Sequence, residues 1–401
     1  MPQPRPGHQI QLLQGGQTFF PALVRAIDGS AHEVRMETYI FNVEAAGESV
    51  AMALERAARR GVAVYLLMDG VGTPSIPAQW ASRFDASGIE WRIYSPLGRF
   101  GLLIPSRWRR LHRKLCVVDG TVAFCGGINV LDDWYDPNYG TLKSPRFDFA
   151  VQVVGPLVQA VHAAMVQFWW RSQVGSNMRQ SDFLAAWLAL QEAVQLKLQA
   201  SSDTKAATTY NTNADLVLRD NLRNRSRIER AYRKAIGAAR TEIIIANAYF
   251  VPGRKLRKGL MHAAQRGVRV RLLLQGRYEY FMQYHAARSV YGALLVAGVE
   301  IHEYSVSFLH AKVAVIDAHW ATVGSSNLDP LSLLLAREAN VVVDDVAFAQ
   351  NLRSRLEDAL VQDGVRVDPA AYASRPWRQR FLDRVALGVM RVLLFLNGKR
   401  Y

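Results

Sequence analysis

Cysteine is nearly absent from this 401-residue chain, which has only Cys116 and Cys125. Two thiols cannot build a disulfide-stapled secreted scaffold, and no spaced Cys/His set would hold a structural zinc, so a reducing compartment fits best. Also missing is any uninterrupted apolar run of about 18 residues, the length needed to cross a bilayer. The opening MPQPRPGHQIQLLQGG lacks the continuous apolar core of a signal peptide. Together these absences predict a cytosol-side protein without a true membrane span. No P-loop, dinucleotide fingerprint or metal-binding helix occurs, so neither a cofactor nor a metal is expected. Acidic residues are the scarcer charge: 34 Asp plus Glu face 49 Lys plus Arg, a net +15. Such a surface calls for an anionic partner, and nucleic acid and anionic lipid both qualify.

Hydrophobic residues make up 50% of the chain and charged ones 21%, which excludes disorder and leaves a globular protein with sizeable cores. The length predicts two domains. Two stretches are nearly the same: Ala57-Ala-Arg-Arg-Gly-Val-Ala-Val-Tyr-Leu-Leu-Met-Asp-Gly70 and Ala263-Ala-Gln-Arg-Gly-Val-Arg-Val-Arg-Leu-Leu-Leu-Gln-Gly276. This is an internal duplication, in which each copy reads as a helix end, a glycine stop (Gly61, Gly267) and a buried strand. An apolar strand precedes each, over Val34 to Phe41 and Glu242 to Phe250. The alternation predicts an α/β fold of two tandem domains, each a mainly parallel mixed sheet flanked by helices. The expected boundaries are 1–200, a polar linker at 201–215, 216–372, and a tail at 373–401.

The duplication extends to the residues that carry chemistry. Leu111-His112-Arg113-Lys114 leads to Asp119 and Asn129; Leu309-His310-Ala311-Lys312 leads to Asp317 and Asn327, with every spacing kept. On a strand, His and Lys two apart share a face, so an imidazole and an ammonium converge twice. Imidazole titrates near neutral pH and serves as nucleophile or proton carrier; lysine and asparagine neutralise oxygen anions. That set suits a phosphodiester. Asp119-Gly120 is a favoured two-residue turn, which gives Asp119 and Asp317 a mainly structural place in the motif. A lone His-x-Lys is ordinarily a solvated strand edge, but kept spacing in both copies argues against coincidence.

These segments resemble the paired H-x-K-x4-D signatures of the phospholipase D superfamily. With Thr38-Tyr39-Ile40-Phe41, they are similar to bacterial cardiolipin synthases of the shorter type without N-terminal membrane spans. The resemblance covers roughly residues 8 to 365. It implies two pseudo-two-fold-related halves, with His112 as nucleophile forming a phosphohistidine and His310 as general acid and base. Lys114, Lys312, Asn129, Asn327 and Ser325 would hold phosphate oxygens, and Gly127 leaves the first motif without the hydroxyl of Ser325. The family also has an acid on a later strand that orients each histidine. Candidates are Asp148 in Arg-Phe-Asp-Phe and Glu338 in Arg-Glu-Ala-Asn, the alternative being solvated strand starts.

From Arg375 to Tyr401 seven cations face only Asp383. At 100° per residue Arg380, Arg384 and Arg391 share a narrow sector broadly opposite Phe381, Val385, Val389, Val392, Leu393 and Leu396. This predicts a basic amphipathic helix lying in a membrane interface, since a span would bury arginines at about 2.5–3.5 kcal/mol each. The alternative is an ordinary helix docked on the core. The loop Phe100 to Arg113 is a second candidate lipid contact or a buried loop. The resulting expectation is a phosphatidyl transferase making cardiolipin from two phosphatidylglycerol molecules with release of glycerol. It would act peripherally on the cytosolic side of a bacterial inner membrane, with anionic phospholipid as partner and no obligatory nucleic acid. Rivals are a phospholipase D hydrolase or a transferase using another donor or alcohol acceptor, a nuclease of the same superfamily, and an inactive membrane scaffold.

Overall fold

The computed structural model describes residues 4–98, 105–136, 138–173, 211–220, 224, 226–279, 281–329 and 336–396. Contacts divide the chain into two compact units. One is built from Gln3–Asp132 and Ala150–Leu216; the other chiefly from Asp133–Phe149 and Val217–Tyr401. Chain order and contact thus part company at Asp133–Phe149, which belongs with the second unit although it lies among first-repeat residues.

The first unit carries β1 (Arg5–Gln14), β2 (Glu33–Thr38), β3 (Ala63–Asp69), β4 (Glu90–Tyr94), β5 (Lys114–Val118), β6 (Val122–Gly126) and β7 (Phe149–Val154), in sheet order β1-β7-β6-β5-β2-β3-β4. Its helices are α1 (Gly15–Asp28), α2 (Ala46–Arg59), α3 (Ala78–Ser87) and α4 (Leu157–Gln173). Alternation along β3 covers both faces of the sheet. Leu66 and Met68 join Leu23, Leu54 and Phe84 of α1, α2 and α3, while Leu67 turns to Phe168 and Trp169 of α4. Each such buried side chain contributes about 1.5–3 kcal/mol, so the amphipathic pattern fixes which face each helix covers. After α2, Gly61 takes φ +89°, and its counterpart Gly267 takes +88°, the left-handed conformation at the helix stops.

The second unit repeats the plan. It has β9 (Glu242–Asn247), β10 (Arg269–Gln275), β11 (Glu300–Tyr304), β12 (Lys312–Ile316), β13 (Trp320–Gly324), β14 (Ala336–Asp344) and β15 (Gly364–Arg366), ordered β15-β11-β10-β9-β12-β13-β14. Helices α5 (Arg227–Ala238), α6 (Arg254–Gln265), α7 (Phe281–Val296) and α8 (Val346–Gln362) complete it, followed by α9 (Pro369–Ala373) and α10 (Trp377–Leu396). The mixed sheet expected from the sequence is present in both units. Parallel pairing runs through β2-β3-β4 and β9-β10-β11, and the motif hairpins β5-β6 and β12-β13 add antiparallel strands.

Of the expected linker, residues 201–210 lie outside the described residues, and Thr212 onward already forms β8 (Thr212–Arg219), which pairs antiparallel with β1. The first five residues of the loop from Phe100, 100–104, also lie outside them. The tail helix α10 packs on α7, burying Asp383, Ala386 and Met390. One face of the tail helix is thus docked on the second unit, and its exposed face carries an apolar stripe. Among the described residues no helix is long and apolar enough to cross a membrane.

Candidate active site

The hairpin turns set the motif strands. Asp119 and Gly120 both have positive φ (50° and 64°), as do Asp317 and Ala318 (50° and 52°), the conformation of a tight primed turn. The Asp119 carboxylate accepts the backbone N–H groups of Ala31, His32 and Glu33, each at 2.8 Å. Asp317 accepts those of Arg240 and Thr241 at 2.8 Å and Glu242 at 3.0 Å, with the Thr241 hydroxyl at 2.8 Å. Burial pushes both carboxyls up, but these donors outweigh it and hold both below the usual aspartate value. Seven residues of extended chain place each aspartate roughly 20 Å from its motif histidine, so it anchors the entry to β2 or β9.

At the other end of each strand the histidine and lysine act together. Lys114 Nζ donates to the backbone carbonyl of His112 at 2.8 Å, and Lys312 Nζ donates to that of His310. Each ammonium thus fixes the backbone that carries the imidazole. Arg113, between His112 and Lys114, takes the other face as strand geometry requires and pairs with Glu37 at 2.6 Å and 2.8 Å. In the second motif the corresponding Ala311 is fully buried, so this pair belongs to the first unit alone. The His112 ring lies 5.0 Å from the Tyr39 ring, and Lys114 Nζ 5.4 Å from the same ring. Lys312 is wholly enclosed; burial lowers its pKa to about 8 from 10.5, against the pull of Asp148, Glu338, Glu279 and Asp329.

Residues 133–149 bring Asp148, the acid expected to orient a histidine, to the second motif. Phe147 N–H donates to the Phe308 carbonyl at 2.9 Å, and the Phe147 carbonyl accepts from His310 N–H at 2.9 Å and Ala311 N–H at 3.0 Å. That pairing lays Asp148 beside the histidine, with Oδ2 2.6 Å from His310 Nδ1. A carboxylate beside Nδ1 favours the tautomer that carries its proton on that nitrogen. Glu338, opening the apolar part of β14, is fully buried and accepts the Ser325 hydroxyl at 2.5 Å. Ser325 thus donates to the carboxylate and accepts Ala339 N–H at 3.1 Å. Asn129 Oδ1 accepts Ile40 N–H at 3.2 Å, and Asn327 is buried in the matching place. Asn129 thus meets Ile40 through its carbonyl oxygen, and its amide N–H groups take no part in that bond.

Three features escaped the motif reading. Asp69, fully buried at the end of β3, accepts Leu111 N–H at 2.7 Å; its repeat partner Gln275 accepts Leu309 N–H at 3.2 Å. Each pins the residue just before a motif histidine. The signal was the Asp-Gly and Gln-Gly that close the two repeats. Glu279 is the third: Tyr249 donates to its Oε2 at 2.7 Å, and burial raises its pKa. It stands where the first repeat has Thr73, which donates to the Tyr39 carbonyl at 3.1 Å. Nothing in the repeat pattern marks that change.

A duplicated α/β unit presents His-x-Lys at a strand start in each copy, a residue set suited to a phosphodiester. The family model described as cardiolipin synthase, PLD-like domain, matches residues 23–142 and 232–360. Cardiolipin synthase B of Salmonella typhi is 38% identical over 373 residues, covering 93% of this chain and 85% of that protein. The Escherichia coli K12 protein of the same name is 37% identical with the same coverage. Among solved structures, phosphatidylserine synthase of Haemophilus influenzae Rd KW20 superposes with a TM-score of 0.68 at 10% identity, over 96% of this chain and 94% of that one. The latter is a likeness of fold. The chain belongs to the cardiolipin synthase family of the phospholipase D superfamily. It is accordingly a phospholipase D-type transphosphatidylase.

Proposed function

We propose that this enzyme joins two phosphatidylglycerol molecules into cardiolipin and releases glycerol. His112 attacks phosphorus, the bond to the glycerol oxygen breaks, and the leaving oxygen takes a proton from His310. The headgroup hydroxyl of a second phosphatidylglycerol then gives its proton to His310 as its oxygen attacks phosphorus. The phosphorus–nitrogen bond breaks and His112 is restored. Lys114 and Lys312, with the Asn129 and Asn327 amides, neutralise the oxygens that gain charge. The observation that carries this reading is the Asp148 carboxylate at His310 Nδ1, which equips His310 to shuttle protons through Nε2. The names and 37–38% identity of the relatives support the product assignment. The net +15 charge supports peripheral work on the anionic, cytosolic face of a bacterial inner membrane.

The test is mass spectrometry of lipids and released small molecules after incubation with phosphatidylglycerol vesicles, alongside His112→Ala and His310→Ala. Cardiolipin plus glycerol, lost in both variants, is the expected result. Phosphatidic acid plus glycerol makes water the acceptor and sinks the transferase reading; unchanged turnover in either variant sinks the assigned site. A base-quenched reaction of the wild type should carry the phosphatidyl group on a His112 peptide.

A further inference from the structure

The tail helix is docked through one face, and among the described residues nothing covers the opposite one. Asp383 holds the dock, 2.8 Å from His285 Nδ1 and 3.1 Å from an Arg375 guanidinium nitrogen, while Met390 packs with Val251 and Ala286. At 100° per residue, Trp377, Phe381, Val385, Val389 and Val392 fall on the side turned away from Asp383, Ala386 and Met390. All five are exposed, Trp377 by 71% and Phe381 by 61%. Apolar rings and valines on such a stripe are in contact with water across several turns, which marks an interaction surface.

Between the docked face and the stripe stand Arg380 and Arg384, one turn apart. They edge a cavity of about 300 Å³ whose wall includes Ser289, Gly292 and Leu295 of α7 and Tyr372 of α9. The acid in that wall, Asp383, is already matched by Arg375 and His285, and Arg375 also stacks 3.5 Å from the Tyr372 ring centroid. Among the described residues Arg380 and Arg384 have no carboxylate partner. The cavity thus offers two uncommitted guanidinium groups at its edge, and the adjoining stripe offers apolar side chains. None of its residues belongs to either His-x-Lys motif.

We infer that this cavity binds the phosphodiester headgroup of an anionic phospholipid in the bilayer, with the Trp377–Val392 stripe lying among the acyl chains beside it. A guanidinium pair matches phosphate oxygens, and stem and stripe match the lipid body. A nucleic acid would want stacking aromatics along a basic groove, and a soluble anion would have no use for the stripe. The inference rests on the reading that the enzyme works at a phospholipid surface, but not on which transfer it performs.

The experiment uses full-length protein carrying His112→Ala, so that no turnover alters the lipid. It measures cosedimentation with phosphatidylcholine vesicles with and without phosphatidylglycerol. Adding Arg380→Ala and Arg384→Ala should cut the phosphatidylglycerol-dependent affinity roughly tenfold or more. Trp377→Ser with Phe381→Ser should weaken binding in a way that high salt does not mimic. The docking residues are untouched, and an unchanged thermal melt checks that α10 stays in place. Binding equal to that of the parent in the arginine pair overturns the site. So does displacement from vesicles by millimolar inorganic phosphate with no dependence on the stripe, which makes it a soluble-anion site. Concentration-dependent dimers abolished by the stripe substitutions also overturn it, since a second copy then covers the face.

Discussion

Asp148 Oδ2 stands 2.6 Å from Nδ1 of His310, across 162 positions of sequence. The contact exists because the Phe147 backbone pairs with the strand start that bears His310. An acid from the first repeat is therefore hydrogen-bonded to a histidine of the second.

Replacing that acid tests the arrangement. Asp148→Asn keeps the shape but can present an amide N–H to Nδ1, which favours the wrong tautomer and leaves the imidazolium unsupported. The expected cost is on the order of 10²- to 10⁴-fold in kcat/KM with little change in KM, because substrate contacts are untouched. The acid limb of the pH profile should also move, which a merely structural loss would not produce. A variant as active as the wild type would remove Asp148 from proton transfer.

The motif aspartates should behave in the opposite way. Asp317→Asn removes the charge from four hydrogen bonds at the entry to β9, and Asp119→Asn from three at the entry to β2. Each should lose roughly 1–3 kcal/mol of stability while retaining kcat within a few-fold in the cold. Both folded-state pKa values lie below the unfolded value of 3.8. The stabilisation is therefore complete above that value and is lost as pH falls through the folded pKa. Chemical denaturation at neutral pH, and again below pH about 3, should show the difference between variant and wild type shrink in acid. A large kcat defect with normal stability would make these residues catalytic.

How much of this was legible follows from which forces are local. The spacing of His112, Lys114 and Asp119, and of His310, Lys312 and Asp317, fixes register along one strand and through one turn, so the sequence displays it. The glycine stops at Gly61 and Gly267 are equally local. Pairing Asp148 with His310 is not, because it depends on Asp133–Phe149 joining the second unit, and no periodicity encodes which sheet a loop will border. The hydrogen bond from Ser325 to Glu338 is not legible either, because it joins the end of one strand to the next in the buried interior. The tail showed its amphipathic pattern plainly. What the pattern could not tell is that Asp383, the one acid among seven cations, faces inward and docks the helix, which turns the apolar stripe outward.

Lys312 supplies a pH dependence whose sign can be worked out. Burial brings its pKa to about 8 from an unfolded value of 10.5. As pH rises through about 8 the ammonium discharges and loses its hold on the His310 carbonyl and on substrate oxygen, so kcat/KM should fall on the alkaline side there. Between about 8 and 10.5 the unfolded chain keeps this proton and the folded one does not, so the same titration favours the folded state as pH rises. An alkaline loss of activity with no drop in melting temperature is therefore the expected signature. Glu279 is one of the carboxylates holding that pKa up, so Glu279→Gln should move the limb to lower pH by a few tenths of a unit to about one unit. Lys312→Arg, which does not titrate in this range, should lose the limb at whatever rate it retains. A wild-type profile flat to pH about 10, or a limb that ignores Glu279→Gln, would count against Lys312 as the titrating group.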